Sequence, residues 1–202
     1  MISVASIVEG DGEVAALPVL LRRLGEWRTP LTQSQVLAPI RVQKNRFLNR
    51  DEEFSRHLLL AAKKSGTSGW ILVLLDADDD CPVTKASEIL HRAKLVVPHK
   101  PVAVVLANRE YEAWFIASAE SLNGHRSFTF RATDHRLDPD MPRDAKGWMR
   151  ERMGSAAYGE TTDQPAFSAR MDLQAAFDRS RSFRKLCSEW TKNTRPVTES
   201  NS

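Results

Sequence analysis

The run WILVLL, Trp70 to Leu75, constrains this chain more than any other stretch. Six consecutive apolar residues offer no polar face, so a strand made from them must be covered on both sides. Gly66 and Gly69 precede the run and the acidic DADDD, Asp76 to Asp80, ends it, leaving too little length for a buried helix. Strands buried on both faces belong to parallel sheets, whose crossovers are usually helices.

The flanking sequence supplies both partners. Ile2–Val8, Val36–Val42 and Val102–Ala107 read as further strands. From Glu13 to about Thr29–Pro30, the residues Val14, Leu17, Leu20, Leu21, Leu24 and Trp27 recur at helical spacing. Pro18 belongs in the first turn of that helix or bends it. Asn49 with Glu52 forms a capping pair for a helix from about Arg50 to Lys64. A helix over Val83–Leu95 follows, and another from near Arg109 carries Ala113, Trp114, Ile116 and Ala117.

This alternation predicts an α/β fold, a mostly parallel sheet flanked by helices, over residues 1–120. Residues 120–142 read as irregular loop, and 144–153 and 166–190 as helices with no strand between. Residues 121–192 are therefore expected to form a loop and helical C-terminal extension packed on the core. The polar tail, 193–202, is expected to be disordered.

At 202 residues, with 42% hydrophobic and 27% charged content, the chain suits a soluble globular protein. No apolar run approaches the ~20 residues of a membrane span. Met1 to Val8 lacks the pattern of a secretory signal, so a cytoplasmic protein away from membranes is expected. Cys81 and Cys187 are then expected to be free thiols. The net charge of +3 permits a polyanionic partner without requiring one.

In open parallel sheets ligands bind beyond the carboxyl ends of the strands. Glu9 follows the first strand, Asp76, Asp78, Asp79 and Asp80 follow WILVLL, and Glu110 and Glu112 follow the strand ending at Ala107. Three acidic groups thus converge on one edge, where their repulsion calls for a cation. Oxygen donors suit Mg²⁺ or Mn²⁺, and Asp76-Ala77-Asp78 can offer two carboxylates from a chain leaving its strand. Asp79 and Asp80 are equally well read as a solvated loop or a helix cap. The early VEGDGE, Val8 to Glu13, is neither a Walker A loop nor a complete dinucleotide fingerprint. Its glycines are read as a tight turn bringing Glu9 and Glu13 together, and Asp11 as helix-start chemistry.

VEGDGE after a first strand and LLDADDD after a later one together resemble a Toprim domain, the metal-binding fold of topoisomerases, primases and OLD-family nucleases. With EYEAWF (Glu110–Phe115) and ETTDQPAF (Glu160–Phe167), the chain is most similar to bacterial Toprim-like proteins of domain of unknown function 4276. The resemblance implies that Glu9 is a metal ligand or general acid/base and that Asp76 and Asp78 are the Mg²⁺-holding pair. Glu13 matches the second acid of OLD-type nucleases, which implies a second metal. Glu110 and Glu112 complete the candidate metal set. No Walker motif is present, so an ATPase would have to be a separately encoded partner.

Arg41, Lys44, Arg46 and Arg50 lie at the carboxyl end of the second predicted strand, placed either to contact nucleic-acid phosphates or simply to face solvent. Lys146 is either a transition-state stabiliser or a surface helix lysine. Tyr111 and Tyr158 lack the setting of a nucleophile. Two functions follow: a Mg²⁺- or Mn²⁺-dependent nuclease acting on DNA or RNA, or a non-catalytic Toprim-like module working with an ATPase. Family company extends either to defence against phage or mobile DNA. A phosphatase reading of DADDD is set aside, because there the motif should follow the first strand.

Overall fold

The computed structural model describes residues 1–195. Its centre is the predicted run: β4 (Trp70–Asp76) lies between β1 (Ile2–Val8) and β5 (Val102–Ala107), parallel to both. On the far side of β1, β2 (Ser34–Val36) and β3 (Ile40–Arg41) add parallel ladders, giving a five-stranded sheet. Strand period sorts the side chains into two cores. Val4, Val8, Trp70, Leu72, Leu74, Ala103 and Val105 face one layer, whereas Ala5, Ile7, Ile71, Val73, Leu75, Val104 and Leu106 face the other. Each buried aliphatic side chain contributes about 1.5–3 kcal/mol, which fixes β4 in the middle.

The predicted strand over 36–42 is two short pieces. Between the β1 pairs at Val4↔Val36 and Ile7↔Ile40, the outer chain spends one residue more than β1 does. Pro39 lies in that gap, where it has no amide to give the ladder.

The second core is closed by α2 (Lys44–Asn49), α3 (Asp51–Ser65) and α4 (Pro82–Val96). Asn49 ends α2 instead of capping α3, whose cap position is Arg50. The first core is closed by α1 (Asp11–Arg28), α5 (Ala113–Ala117), α6 (Ala145–Met153), α7 (Glu160–Arg170), α8 (Leu173–Arg179) and α9 (Arg181–Thr194). Pro18 lies inside α1, denying the Val14 carbonyl its usual amide. The fully buried Leu17, Leu20, Leu21 and Leu24 hold the helix together across it.

The long helix predicted over 166–190 is broken twice. Asp172 accepts from the amides of Gln174 and Ala175 and Ser180 from that of Phe183, so each caps a new helix. Three 3₁₀ turns lie in the segment read as irregular. Asn193 and Thr194 of the predicted tail belong to α9, and 196–202 lie outside the described residues. Cys81 is exposed and Cys187 buried, both free. Among the described residues no helix is long and apolar enough to cross a membrane.

Candidate acidic site

The alternation that built the two cores also distributes the acids at the carboxyl edge. Asp76 continues the parity of Trp70, Leu72 and Leu74, so its carboxyl turns toward α1 and α5. There Oδ1 accepts from the Tyr111 amide at 2.9 Å. Burial pushes this carboxyl well above its ordinary value, Glu13, Glu112 and Glu9 add to the effect, and Lys146 opposes it. Glu9 takes the opposite parity after Val8, and the charges that act on it most are Lys44 and Asp78. Burial raises Glu9 and Glu13 as well.

Gly10 and Gly12 serve this arrangement differently from the expected tight turn, since neither has a positive φ. A Cβ on Gly10 would collide with Glu13 Oε2, so glycine lets that carboxylate fold back over the chain. A Cβ on Gly12 would collide with Gln164 Oε1, so glycine lets α7 close against α1. Asp11 sits in the first turn of α1 and pairs with Arg41 at 3.0 Å.

Asp78 occupies a left-handed conformation, φ 50°, as does Arg109, φ 64°. The two turns brace each other: the Asp78 amide donates to the Arg109 carbonyl at 3.0 Å, and the Arg109 guanidinium donates to the Asp78 carbonyl at 3.1 Å. Such conformations outside glycine cost of the order of 1–2 kcal/mol each and persist only where surroundings enforce them. Lys44 completes the brace. Its buried ammonium donates to Asp78 Oδ2 at 2.5 Å and to the Asp76 carbonyl at 2.6 Å. Lys44 is thus engaged with the acids, whereas Arg41, Arg46 and Arg50 are exposed. Arg46 pairs with Glu53.

Glu110 is turned elsewhere: its Oε2 accepts from the Lys146 amide at 3.0 Å, capping α6 alongside Asp144. Glu112 is fully buried beneath the edge. Its Oε1 accepts from Tyr158 Oη at 2.8 Å and Gln164 Nε2 at 2.7 Å, and burial pushes the carboxyl up to about 7 against those bonds. Lys146 reaches the cluster from α6 and pairs with Glu160 at 3.3 Å. Although burial works against its charge, Glu112, Glu160 and Asp76 hold the ammonium above its ordinary value. Tyr111 and Tyr158 are buried, with their hydroxyls at Ser168 and Glu112 and both pushed up by burial.

Glu160 and Gln164 were not among the site residues expected from sequence. Both wall the cluster from α7, and their i, i+4 spacing within ETTDQPAF is the signal that puts them on one helical face.

The donor chemistry suits a hard divalent cation: the groups are carboxylates, and Glu13 Oε2 and Glu112 Oε2 are buried without a hydrogen-bond partner. Among the described residues no three His, Cys, Asp or Glu side chains already form a group able to hold a metal. Lys44 and Lys146 are instead the cations these carboxylates feel.

The family model described as Domain of unknown function (DUF4276) matches residues 8–189. The chain belongs to the DUF4276 family. No curated protein and no solved structure matches it. The DUF4276 match runs from the end of β1 into α9, so the strand-borne acids and their α7 wall lie within one family unit.

Proposed function

We propose that this DUF4276 protein is a Toprim-type, divalent-metal-dependent phosphodiester-cleaving enzyme acting on DNA or RNA. One observation carries the reading: carboxyls from β1, α1, β4 and the segment after β5 crowd one sheet edge, with unpaired buried oxygens on Glu13 and Glu112. Crowded like charges demand protons or a cation. Glu9, Glu13, Asp76 and Asp78 would hold Mg²⁺ or Mn²⁺, with Glu112 beneath them. Such an ion, when bound, polarises a phosphoryl oxygen and activates water. Lys146, kept charged by its acidic neighbours, is placed to meet negative charge building on the phosphate. Arg41, Arg46 and Arg50 would position the substrate backbone, while Lys44 holds Asp78 in its turn. Cytoplasmic residence and a part in defence against mobile DNA extend this reading, supported by the Toprim resemblance of VEGDGE and LLDADDD.

A second reading, a non-catalytic module partnered by a separately encoded ATPase, is favoured by Lys44 and Lys146, which already compensate charge within the cluster. Incubation with plasmid, single-stranded DNA and RNA plus Mg²⁺ or Mn²⁺ separates the two. Cleavage that disappears in Glu9→Gln and Asp76→Asn, with unchanged circular dichroism, is expected. Absence of both cleavage and calorimetric metal binding refutes the enzyme. A stable complex with an ATPase and no cleavage supports the second reading.

A further inference from the structure

Away from the acidic edge, a cleft opens between the last turn of α1, α8 and α9, lined by Arg28, Arg184, Lys192 and Arg195. The hydroxyls of Ser188 and Thr191 share its wall, and no carboxylate does. Among the described residues, none of these four cations forms an ion pair. Two acids of α8 and α9 are engaged elsewhere: Glu189 pairs with Lys185 and Asp178 accepts from Gln174.

Two of the cations are held in place. The Arg28 guanidinium lies 4.7 Å from the centroid of Trp27 and 4.8 Å from that of Phe177, two rings packed edge to face, so it is seated in the corner they form. Arg184 donates from one terminal nitrogen to the carbonyls of Phe177 and Asp178, which anchors the group; the Asp140 carboxylate feels its charge without forming an ion pair with it. Lys192 and Arg195 are exposed. Arg184 to Arg195 spans about 16 Å of helix, the axial length of about five phosphate-to-phosphate steps on one duplex strand.

We infer that this cleft is a second nucleic-acid contact, an anchor for the phosphate backbone distinct from the acidic edge. A row of cations without ion pairs, in a cleft lined by no carboxylate, matches a repeating monoanion, and the aromatic-braced arginine offers a pre-oriented fork for phosphate oxygens. The cleft lies about 22 Å along α1 from Glu13, so it cannot be part of the reacting centre. It orients and retains a strand whether or not the acidic cluster cleaves.

The test is fluorescence anisotropy with a labelled duplex and a labelled single strand, in EDTA and across a salt series. The Lys192→Glu/Arg195→Glu variant is expected to bind roughly tenfold more weakly, with a salt slope shallower by about 0.9 per lost duplex contact. Lys63→Glu/Lys94→Glu, on α3 and α4, makes the same charge change elsewhere and is expected to bind as wild type does. Thermal melts confirm that both variants are folded. Equal weakening in both variants, unchanged binding in the cleft variant, or no wild-type binding at low salt overturns the anchor. Binding is read in EDTA, where no metal-dependent cleavage runs, so failure of cleavage and failure of the anchor read out separately.

Discussion

Glu112 should make the metal-free protein less stable as pH rises toward neutrality, and Glu112→Gln should remove that dependence. The carboxyl moves from an ordinary 4.5 in the unfolded chain to about 7 in the fold. Between those values the native state holds a proton that the unfolded state has released, so this group's stability is full below 4.5 and declines until pH passes about 7. At ~1.36 kcal/mol per pH unit the decline is about 3 kcal/mol. The local geometry explains the retained proton. Glu112 Oε2 and Gln164 Oε1 are both buried and unpartnered, while Gln164 Nε2 already donates to Glu112 Oε1. A proton on Oε2 can give Gln164 Oε1 its missing donor. The amide introduced by Glu112→Gln can do the same at any pH. Urea unfolding in EDTA is expected to give equal stability for the two proteins at pH 4. At pH 8 the variant should hold an advantage of about 3 kcal/mol at most. Losing the attraction to Lys146 makes that figure an upper bound. An identical gap between variant and wild type at both pH values would refute the argument.

Two further outcomes are expected. Arg152→Ala should cost about 3 kcal/mol by chemical denaturation, because it strips the buried Asp134 of a bidentate partner held at 3.0 and 2.7 Å. Arg152 also reaches the exposed Glu151, so the pair meets solvent, hence the low end of the usual range, and a loss below ~1 kcal/mol would count against its burial. Gly10→Ala should change the melting temperature little, since Glu13 can swing away from the new methyl group, yet it should weaken calorimetric Mn²⁺ binding severalfold. Unaltered binding would place Glu13 outside the metal set.

Much of the frame can be read from residues alone, for a physical reason. WILVLL has no polar face, so its burial follows from composition, and β1 and β5 follow from its need for parallel neighbours. Glu9, Asp76 and Asp78 are legible because the acids occur where buried strands end. What escaped was decided by single residues. Pro39 split a strand, and Asp172 and Ser180 each began a new helix by capping it. In sequence Lys44 reads as a phosphate-contacting or solvent-facing cation, yet its ammonium lies between Asp78 and the Asp76 carbonyl. Glu110 and Glu112 are two residues apart, yet one caps α6 while the other is sealed beneath the edge. Their different fates depend on α6 and α7, whose placement no local pattern records.

The packing of α7 and α9 along α1 has a consequence for how the molecule is made. A ribosome adding about 5–20 residues per second completes all five strands well before α7 and α9 appear. For those seconds Leu17, Leu20 and Trp70 lack the cover they have in the finished fold, and Asp76 lacks the compensating charge of Lys146. The nascent half is therefore both sticky and electrostatically frustrated. Maturation of the acidic edge is timed to the last third of synthesis, when α6 delivers the cation and α7 the amide that quiet it.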